Sequence, residues 1–571
     1  MNISKPPRKF VAENLVIDAW EKVESYFKTL LEEEWNSKED FQQWLTKLSE
    51  LEAVLSEDLA WRYIKMTIDT KDEDLTNDYA FFVHEIQPNL SDWGDRINHK
   101  INKSPFLNEL KESSQGHFIY FRAIQKAIEL YREENSMLEA EISSLSKEYG
   151  GISGKQTIEY KGQELTMQQA SQHLKDLDEE VRREVFTKTA NRRLEDKKNL
   201  HELFTTLIDL RNSVAKNAEF DNFRDYKFES MGRYDYTKED CFAFHESIKE
   251  VIVPLVKDLQ EKRLKKLNKP KFKPWDQDVD PEGKEALKPF KNGKDLLEKS
   301  LKVLKKVDPY FSSCVETMEK MGHLDLESKL GKAPGGYNYP LYEIGVPFIF
   351  MNAVGSQRDL ITMIHESGHA VHSFLSRDLA LTGFKSLPSE VAELASMSME
   401  LLSMKYWDEF YSSKDDLKRA KREHLEDILR ILCWIAQIDQ FQHWIYENPK
   451  HKVEERTSYW LSLCKDYGTQ FTDWTGFEEV LETSWQRQLH LFEVPFYYIE
   501  YGIAQLGALG VWMNSIENEE KAIAQYKDAL ALGYTKSIPE IYETAGVKFD
   551  FSKDNLSRLS KHIQKELQKL D

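Results

Sequence analysis

His365-Glu366-Ser367-Gly368-His369 is the stretch of this sequence that decides how the rest is interpreted. It is an HExxH sequence, which is typical of a zinc site with a built-in general base. Its two histidines are four residues apart, so on a helix they point the same way and can both reach one Zn²⁺. Glu366 lies one step around the helix, where its carboxylate can reach a zinc-bound water without ligating the metal.

The residues around this motif predict a helix with one buried face. Ser356 and Asp359 form a Ser-x-x-Asp signal, which is typical of a helix start. An apolar stripe at helical spacing lies apart from the motif histidines and consists of Leu360, Ile364, Val371 and Leu375. The opposite face would carry the ligands, with His372 as a supporting or packing residue. The alternative is an ordinary amphipathic helix whose histidines hold no metal.

The composition is that of a globular protein large enough for more than one domain. Of its 571 residues, 40% are hydrophobic and 31% charged, and the net charge of -20 argues against a nucleic-acid partner. The four cysteines show no CxxC spacing, so they predict neither a thiolate zinc site nor a disulfide framework. No apolar run approaches the ~18 residues of a membrane span, and the first residues do not resemble a signal peptide. We therefore expect a cytoplasmic protein with no membrane partner; no oligomeric state is predicted.

Most of the chain shows helical periodicity, which predicts a mainly α fold. Gly150-Gly151 is expected to interrupt the helices, and a small hairpin is predicted over residues 156–165. Helices resume at about Met167. We expect a helical N-terminal lobe over residues 1–200, which includes this hairpin, and a catalytic domain over residues 201–571 that carries the candidate zinc site.

A second β-rich segment precedes the HExxH helix. Residues 335–339 and 346–352 are short, aromatic and flanked by glycine and proline, which predicts one or two strands. Pro347 favours an edge position or a strand start. We expect the strand from Phe348 to Asn352 to align an extended peptide beside the metal. A small structural hairpin is the alternative.

The motif supplies two metal ligands, and a catalytic zinc needs a third together with an open position. Leu375 stands where the metzincin pattern would place a third histidine, so that solution is excluded. The acidic candidates downstream are Asp378, Glu390, Glu393 and Glu400. Asp378 is close to the end of the helix and poorly placed to fold back.

The other three glutamates lie on a predicted helix that follows Pro388. Small residues on it, Ala392, Ala395 and Ser396, would let another helix approach closely. The pattern favours Glu393 over Glu390 as the third ligand, and Glu400, seven residues on, shares its face and is suited to orienting a ligand histidine. Surface glutamates in ion pairs are the alternative.

The motif and its context resemble a known family. His365–His369 followed by Val391-Ala392-Glu393-Leu394-Ala395-Ser396 is similar to the oligoendopeptidase F and Pz-peptidase group of the thimet oligopeptidase family, which are gluzincin zinc metallopeptidases. Further similar segments are residues 331–337, 347–352 and 495–501, the last preceded by His490. The resemblance spans about residues 150–550.

This resemblance implies a two-lobed helical metallopeptidase with a deep central channel and a small β-sheet beside the zinc helix. It implies Glu393 as the third zinc ligand, in agreement with the pattern. A zinc on the channel floor would be out of reach of folded proteins, so short peptides would be the substrates. The spacing of the aromatic residues after His490 departs by about one residue from that of the thimet branch.

Tyrosines near residue 500 are candidates for stabilising the oxyanion of peptide hydrolysis, since a neutral phenol donates a hydrogen bond without adding charge. On a helix, Tyr501 shares a face with Tyr497 and with Tyr498. We rank Tyr501 and Tyr498 above Tyr497, with His490 as a second donor to the substrate carbonyl. Aromatic packing and a structural histidine are the alternatives.

Together these features predict an oligoendopeptidase with one Zn²⁺ held by His365, His369 and Glu393, and with Glu366 as general base. Two alternatives remain. A zinc carboxypeptidase on a similar helical scaffold would need Arg or Lys to bind a terminal carboxylate, and no local motif supplies one. A non-catalytic peptide-binding protein would have no use for Glu366.

Overall fold

The protein is mainly α-helical, as predicted. The computed structural model describes residues 1, 3–329, 331–468 and 470–570. Up to residue 267 the α-helices are α1 (Trp20–Glu32), α2 (Lys38–Ile68), α3 (Glu73–Phe81), α4 (Gln87–Asn102), α5 (Leu107–Ser113), α6 (Gln115–Leu130), α7 (Asn135–Gly154), α8 (Met167–Gln172), α9 (Glu179–Glu195), α10 (Lys197–Asn217), α11 (Phe223–Ser230), α12 (Lys238–Ser247) and α13 (Val253–Leu267).

The remaining α-helices follow from residue 293 onward. They are α14 (Gly293–Val307), α15 (Pro309–Met321), α16 (Gln357–Ser376), α17 (Thr382–Lys385), α18 (Ser389–Ser403), α19 (Lys414–Glu447), α20 (Val453–Tyr467), α21 (Glu478–Glu482), α22 (Leu489–Glu493), α23 (Tyr498–Glu517), α24 (Glu519–Ala531), α25 (Ile538–Thr544) and α26 (Lys553–Gln568). In the described part of the chain, none of these helices combines the length and the apolar character that crossing a membrane requires.

The predicted hairpin is confirmed. Strands β1 (Thr157–Tyr160) and β2 (Gln163–Thr166) pair antiparallel. They are joined by Lys161 and Gly162, whose φ angles of 51° and 76° fit a tight two-residue turn. The next helix, α8, begins at Met167 as expected.

The predicted break at Gly150-Gly151 is wrong, because α7 continues to Gly154. Each glycine costs a helix roughly 1 kcal/mol relative to alanine. Buried contacts of the preceding turn hold this helix in place: the Ser146 hydroxyl donates to the Phe492 carbonyl at 3.0 Å, and the Tyr149 hydroxyl donates to the Gln486 carbonyl at 2.9 Å. Tertiary packing therefore outweighs local propensity here.

The second β-rich segment forms a three-stranded sheet in the order β3-β5-β4. Strand β3 (Leu324–Glu327) runs parallel to β5 (Phe348–Ala353), and β4 (Tyr337–Tyr339) runs antiparallel to it. Pro347 precedes the first residue of β5, which confirms the strand start. The expectation that Phe348–Asn352 would align a peptide is wrong, because both edges of β5 are already paired and its backbone groups are used within the sheet.

The chain divides into two compact units, each made of separate segments. Unit 1 comprises Met1–Glu129, Lys288–Lys418 and Gly507–Phe549. It contains the three-stranded sheet and a core of buried side chains from α1, α2 and α4, including Phe41 and Trp44.

Unit 2 comprises Leu130–Leu287, Arg419–Leu506 and Asp550–Asp571. It contains the β1–β2 hairpin and the long helix α19 from Arg419 onward. The division of the sequence at residue 200 stays a prediction.

Candidate metal and catalytic site

The helix that carries the HExxH residues begins where the sequence predicts. Ser356 caps α16: its hydroxyl accepts from the Asp359 backbone N–H at 3.3 Å, while the Asp359 carboxylate accepts from the Ser356 N–H at 2.9 Å. This reciprocal capping box satisfies two backbone donors that a helix start leaves open. Leu360 and Ile364 are fully buried. The local sequence thus fixes both the start of the helix and the face that it buries.

A close approach of α16 and α18 brings the candidate ligands together. A Cβ atom on Gly368 would lie 2.6 Å from Ser396 Cα and 2.8 Å from the Ala395 carbonyl oxygen, so only glycine fits there. The small residues predicted to permit such packing are at the contact. Tyr526 fixes α18 from its other side, since its hydroxyl donates to the Ala395 carbonyl at 2.7 Å.

His365, His369 and Glu393 form a compact three-residue cluster. Glu393 Oε2 lies 3.3 Å from His365 Nε2 and 3.8 Å from His369 Nε2. One potential ligand atom from each residue lies within 4.8 Å of the others. The imidazoles are about one-fifth exposed, at 20% and 19%, whereas the Glu393 side chain is 8% exposed. The cluster is therefore anchored by a buried carboxylate and accessible from the histidine side.

Neighbouring polar groups orient this cluster. Glu400 Oε1 lies 2.6 Å from His365 Nδ1, which leaves Nε2 directed toward Glu393. The Ser396 hydroxyl donates to Glu393 Oε2 at 3.0 Å, and the Ala392 carbonyl is hydrogen-bonded to His369. The sequence singled out Glu400, but it suggested only small size for Ser396. The Glu-x-x-Ser spacing on one helix is the sequence signal that could have indicated the hydrogen bond from Ser396 to Glu393.

Two of the three cluster residues, Glu393 and His369, have the protonation state that metal ligation needs. Burial alone would raise the pKa of Glu393, but the hydrogen bond from His365 and the nearby imidazoles lower it to about 2, so this carboxylate is ionised at neutral pH. Burial lowers the pKa of His369 to about 4, which leaves that imidazole neutral. Burial also opposes protonation of His365, but hydrogen bonds with Glu393 and Glu400 raise its pKa well above the ordinary value.

These residues fit a divalent metal. Two imidazole nitrogens and one carboxylate oxygen are the ligand set of zinc sites that keep a fourth position open. The same nitrogen and oxygen donors also suit other divalent transition metals. Glu393 and Glu400 both lie beside the His365 imidazole, and in the absence of metal they favour a proton on it. A bound metal ion would replace that proton.

Glu366 lies beside the cluster and not in it. Its side chain is buried, with the residue 7% exposed, and burial raises the pKa of its carboxyl to about 7. A carboxyl that titrates near neutrality can both accept and return a proton. The Asn338 amide donates to the Glu366 backbone carbonyl at 3.2 Å, so strand β4 lies against the helix that carries Glu366.

The other candidates raised by the sequence lie apart from the cluster. Asp378 is exposed, and Glu390 is buried with its backbone carbonyl accepting from the Tyr542 hydroxyl at 2.9 Å. Neither joins the two motif histidines in a metal-ligating group among the described residues. His372 is 1% exposed, and burial lowers its pKa to about 3, so it is a neutral packing residue.

The predicted tyrosines and His490 form an aromatic cluster within unit 2. The His490 ring lies 4.9 Å from that of Tyr498 and 5.9 Å from that of Tyr501, and the two tyrosine rings are 5.5 Å apart. Tyr497 precedes the first residue of α23, so the expectation that it shares this helix is wrong. The turn before the helix contains Phe496 with φ of 68°, a left-handed conformation that no helix accommodates.

Known protein families match most of the chain. The model of Peptidase family M3 matches residues 172–561, and that of the Peptidase M3 N-terminal domain matches residues 12–131. The first match contains the cluster residues and Glu366, and it also covers the aromatic cluster around His490.

Curated relatives are similar over part of their length. An oligoendopeptidase F homolog of Borreliella burgdorferi is 25% identical over 371 residues, which cover 64% of this chain and 61% of that protein. Oligopeptidase PepF of Bacillus subtilis is 25% identical over 262 residues, which cover 45% of this chain and 38% of that protein. The matched part thus spans less than two thirds of either relative.

Solved structures are similar over nearly the whole chain. The structure described as Pz peptidase A with inhibitor 2 has a TM-score of 0.90 at 25% identity, covering 99% of this chain and all (100%) of that one. Oligoendopeptidase-F from Enterococcus faecium shares the fold at a TM-score of 0.65 and 16% identity, covering 96% of this chain and 97% of that one.

Proposed function

The chain belongs to Peptidase family M3, and from that premise we propose that it is a zinc-dependent oligoendopeptidase, which hydrolyses internal bonds of short peptides. The observation that carries this proposal is the cluster of His365, His369 and Glu393 with Glu366 beside it. A binding protein would gain nothing from a buried carboxyl whose pKa is about 7 next to three metal ligands.

His365, His369 and Glu393 would hold one Zn²⁺. When bound, the ion would supply a Lewis acid that polarises the scissile carbonyl and lowers the pKa of a water toward ~7. Glu400 positions His365 through its 2.6 Å contact with Nδ1, and Ser396 positions Glu393. Together these supports keep the ligand atoms directed at one point.

Glu366 is the proposed general base. Its carboxylate takes a proton from the attacking water as the water oxygen bonds to the carbonyl carbon. The same proton then passes to the departing amine as the carbon–nitrogen bond breaks. The raised pKa supports this shuttle, since a carboxyl near 7 has the proton affinity to accept a proton and the acidity to return it.

Strand β4 replaces β5 as the proposed alignment strand for the peptide. In the described part of the chain, β4 (Tyr337–Tyr339) pairs with β5 along one edge only. Its Asn338 amide contacts the Glu366 carbonyl, which supports a peptide added at β4 running past the catalytic helix. In this kind of binding, main-chain hydrogen bonds supply the affinity, and pockets for alternate side chains supply the specificity.

Tyr498 and Tyr501 are the proposed donors to the substrate oxyanion, with His490 as a second donor. Their shared cluster supports a common role, and phenols remain neutral donors at physiological pH. Removing one oxyanion donor typically costs about 10²–10³ in kcat. The substrate channel and the cytoplasmic location remain proposals from the sequence.

The test is cleavage of an internally quenched short peptide that is blocked at both ends. We expect cutting at an internal bond, loss of activity with a chelator and recovery with zinc. Glu393→Gln should lose both zinc and activity, whereas the matched control Glu390→Gln on the same helix should keep both. Cleavage of free but not blocked peptides would identify a carboxypeptidase instead, and zinc binding without cleavage of either would identify a binding protein.

A further inference from the structure

Unit 2 contains a buried group of potential metal-ligating side chains that the proposed peptidase mechanism does not use. Cys241 and His245 are four residues apart on α12, and Asp439 and His443 are four residues apart on α19. Each pair therefore projects from one face of its helix. The four residues, called here the buried cluster, are between 0% and 2% exposed.

The buried cluster has the spacing of metal ligands. One donor atom each from Cys241, Asp439 and His443 lies within 4.8 Å of the others. The distance from His443 Nε2 to Asp439 Oδ2 is 3.2 Å. Neighbouring ligands of a tetrahedral zinc stand about 3.3–3.7 Å apart, given metal–ligand distances of about 2.0–2.3 Å. Small side-chain shifts would bring the three donors onto one ion.

Several polar atoms of the buried cluster have no hydrogen-bond partner among the described residues. They include Asp439 Oδ1 and both ring nitrogens of His443. His443 Nε2 is close to Asp439 Oδ2 yet is not aligned to donate to it, as expected of two ligands that face a common third atom. Buried polar atoms left unpaired cost roughly 1–3 kcal/mol each, so a missing partner is indicated.

Aromatic rings surround His443 in the buried cluster. The rings of Phe242, Phe496 and Phe228 lie 5.0, 5.4 and 5.9 Å from the His443 ring. Such walls offer no hydrogen bonds to the unpaired atoms, and they exclude the bulk water that would otherwise solvate a carboxylate. A bound cation would interact with the unpaired atoms of Asp439 and His443, so no further polar side chain would be needed.

We propose that Cys241, Asp439 and His443 bind a second divalent transition metal, with zinc as the matching ion, in a structural site within unit 2. A thiolate, an imidazole and a carboxylate are donors that zinc accepts together. The two anionic ligands balance the charge of the ion, so the buried site is neutral. Both oxygens of Asp439 can ligate, which gives four donor atoms from three residues.

His245 acts as a positioning residue in this site. Its Nε2 lies 2.8 Å from Asp439 Oδ2, so the imidazole fixes the carboxylate orientation from outside the metal. The competing arrangement is metal-free: a protonated histidine paired with Asp439. That arrangement leaves Asp439 Oδ1 without a partner and assigns no role to Cys241.

Metal content of the full-length protein tests the proposal without reference to peptidase activity. The protein is stripped with a chelator, equilibrated with zinc and desalted, and zinc per chain is measured by mass spectrometry. We expect about two ions in the wild type and about one in the double variant His365→Ala/His369→Ala. Adding Cys241→Ser to that variant should leave none, whereas adding Cys433→Ser, a buried cysteine elsewhere on α19, should leave about one.

A spectroscopic measurement keeps the test valid if Cys241→Ser folds poorly. The double variant with native Cys241 is loaded with Co²⁺, and a thiolate-to-cobalt charge-transfer band in the near ultraviolet is expected. A folded double variant that binds neither zinc nor cobalt would overturn the proposal in favour of the metal-free pair. Binding without the sulfur band, retained after Cys241→Ser, would also overturn it. Failure of peptidase activity leaves either result unchanged.

Discussion

Two helices of this protein each present potential metal ligands four residues apart, but they have opposite surroundings. On α16 in unit 1, His365 and His369 are about one-fifth exposed, and Glu366 follows the first of them. On α12 in unit 2, Cys241 and His245 are 1% exposed, and Phe242 follows the first. Helical spacing alone thus supplies ligands in both places. Of these two helices, only α16 combines partly exposed histidines with a neighbouring carboxyl, the proposed base.

The same contrast extends to helix packing. The third residue after the first ligand is Gly368 on α16 and Phe244 on α12. Gly368 lets the backbone of α18 come within contact, whereas Phe244 fills the gap to Gly502 with a ring. A close backbone approach holds Glu393 rigidly between two accessible histidines. A packed ring instead seals the surroundings of the buried cluster, which suits structure rather than turnover.

The largest expected effect comes from removing the carboxyl of Glu366, the proposed base, whose place after Cys241 on α12 is taken by Phe242. Glu366→Gln should lower kcat by about 10²–10⁴-fold, because the glutamine side-chain amide cannot accept a proton from the attacking water. Zinc content should be unchanged, since Glu366 is outside the ligand cluster. Peptide turnover and metal content are measured together. The control is Glu85→Gln in the exposed His84-Glu85 pair, which should keep full activity; substantial turnover by Glu366→Gln would rule out its role as base.

A buried histidine with basic residues nearby should make stability depend on pH. Burial, with Arg456 and Lys197 nearby, lowers the pKa of His201 from 6.5 to about 4. Its folded pKa is depressed, so its contribution to stability is complete above pH 6.5 and is lost as pH falls toward 4. Protonation of the unfolded chain costs about 2 kcal/mol of stability at pH 5.

Denaturant unfolding of the wild type and of His201→Leu at pH 7.5 and pH 5 checks this expectation. The wild type should lose about 2 kcal/mol more than the variant between the two pH values. Equal losses would show that His201 has no such linkage. The comparison between variants cancels the titration of groups that the two proteins share.

Glycine substitutions test the two kinds of helix contact. Gly368→Ala should destabilise by about 1–3 kcal/mol, because its Cβ meets backbone of α18 that cannot move aside. Gly502→Ala should cost less, since its Cβ meets the ends of the Phe244 and Ile435 side chains.

The matched control for both substitutions is Gly94→Ala in α4, where nothing lies within 4 Å of the added Cβ. That change should stabilise by about 0.5–1 kcal/mol, because alanine is the better helix former. Chemical denaturation ranks the three variants. A cost for Gly502→Ala above that for Gly368→Ala would contradict the proposed difference in packing.

A further expected effect concerns the support of a ligand. Glu400→Gln removes the carboxylate 2.6 Å from His365 Nδ1 and should reduce zinc affinity or kcat/KM by about 10–100-fold. Competition with a chelator and steady-state kinetics measure the two quantities. Glu409→Gln, which removes a partner of Lys306, is the control and should leave both unchanged. An unaltered zinc affinity and turnover in Glu400→Gln would show that the contact has no positioning role.

Sequence reasoning predicted the parts of the candidate site that depend on neighbours along the chain. The capping box at Ser356 and the buried stripe beginning at Leu360 follow from helical periodicity, and both are present. The preference for Glu393 over Glu390 used spacing on a single helix, and the geometry brings Glu393 to the histidines. The helix through Gly150 was missed, because contacts from distant residues outweigh a local cost.

The order of strands was also beyond the sequence, since the composition of β5 does not reveal which strands flank it. Because β5 is the central strand, its edges are occupied, and the proposed peptide contact is assigned to β4 instead. The buried cluster was missed for a similar reason. Cys241 and His245 repeat the four-residue spacing of the motif, but this spacing alone does not identify a metal site. The other two members of the buried cluster, Asp439 and His443, lie nearly two hundred residues later in the chain.

By itself the sequence determined a mainly helical protein, the start of the helix that carries His365 and His369, and the glutamate that is the candidate general base beside them. These features are local, because helix periodicity and capping depend on residues within a few turns. Tertiary structure alone decided which strands lie at the edges of the three-stranded sheet, which carboxylates surround His365, and that Cys241 lies near His443. These contacts join distant segments, and they are fixed by packing against the rest of each unit, which no local pattern encodes.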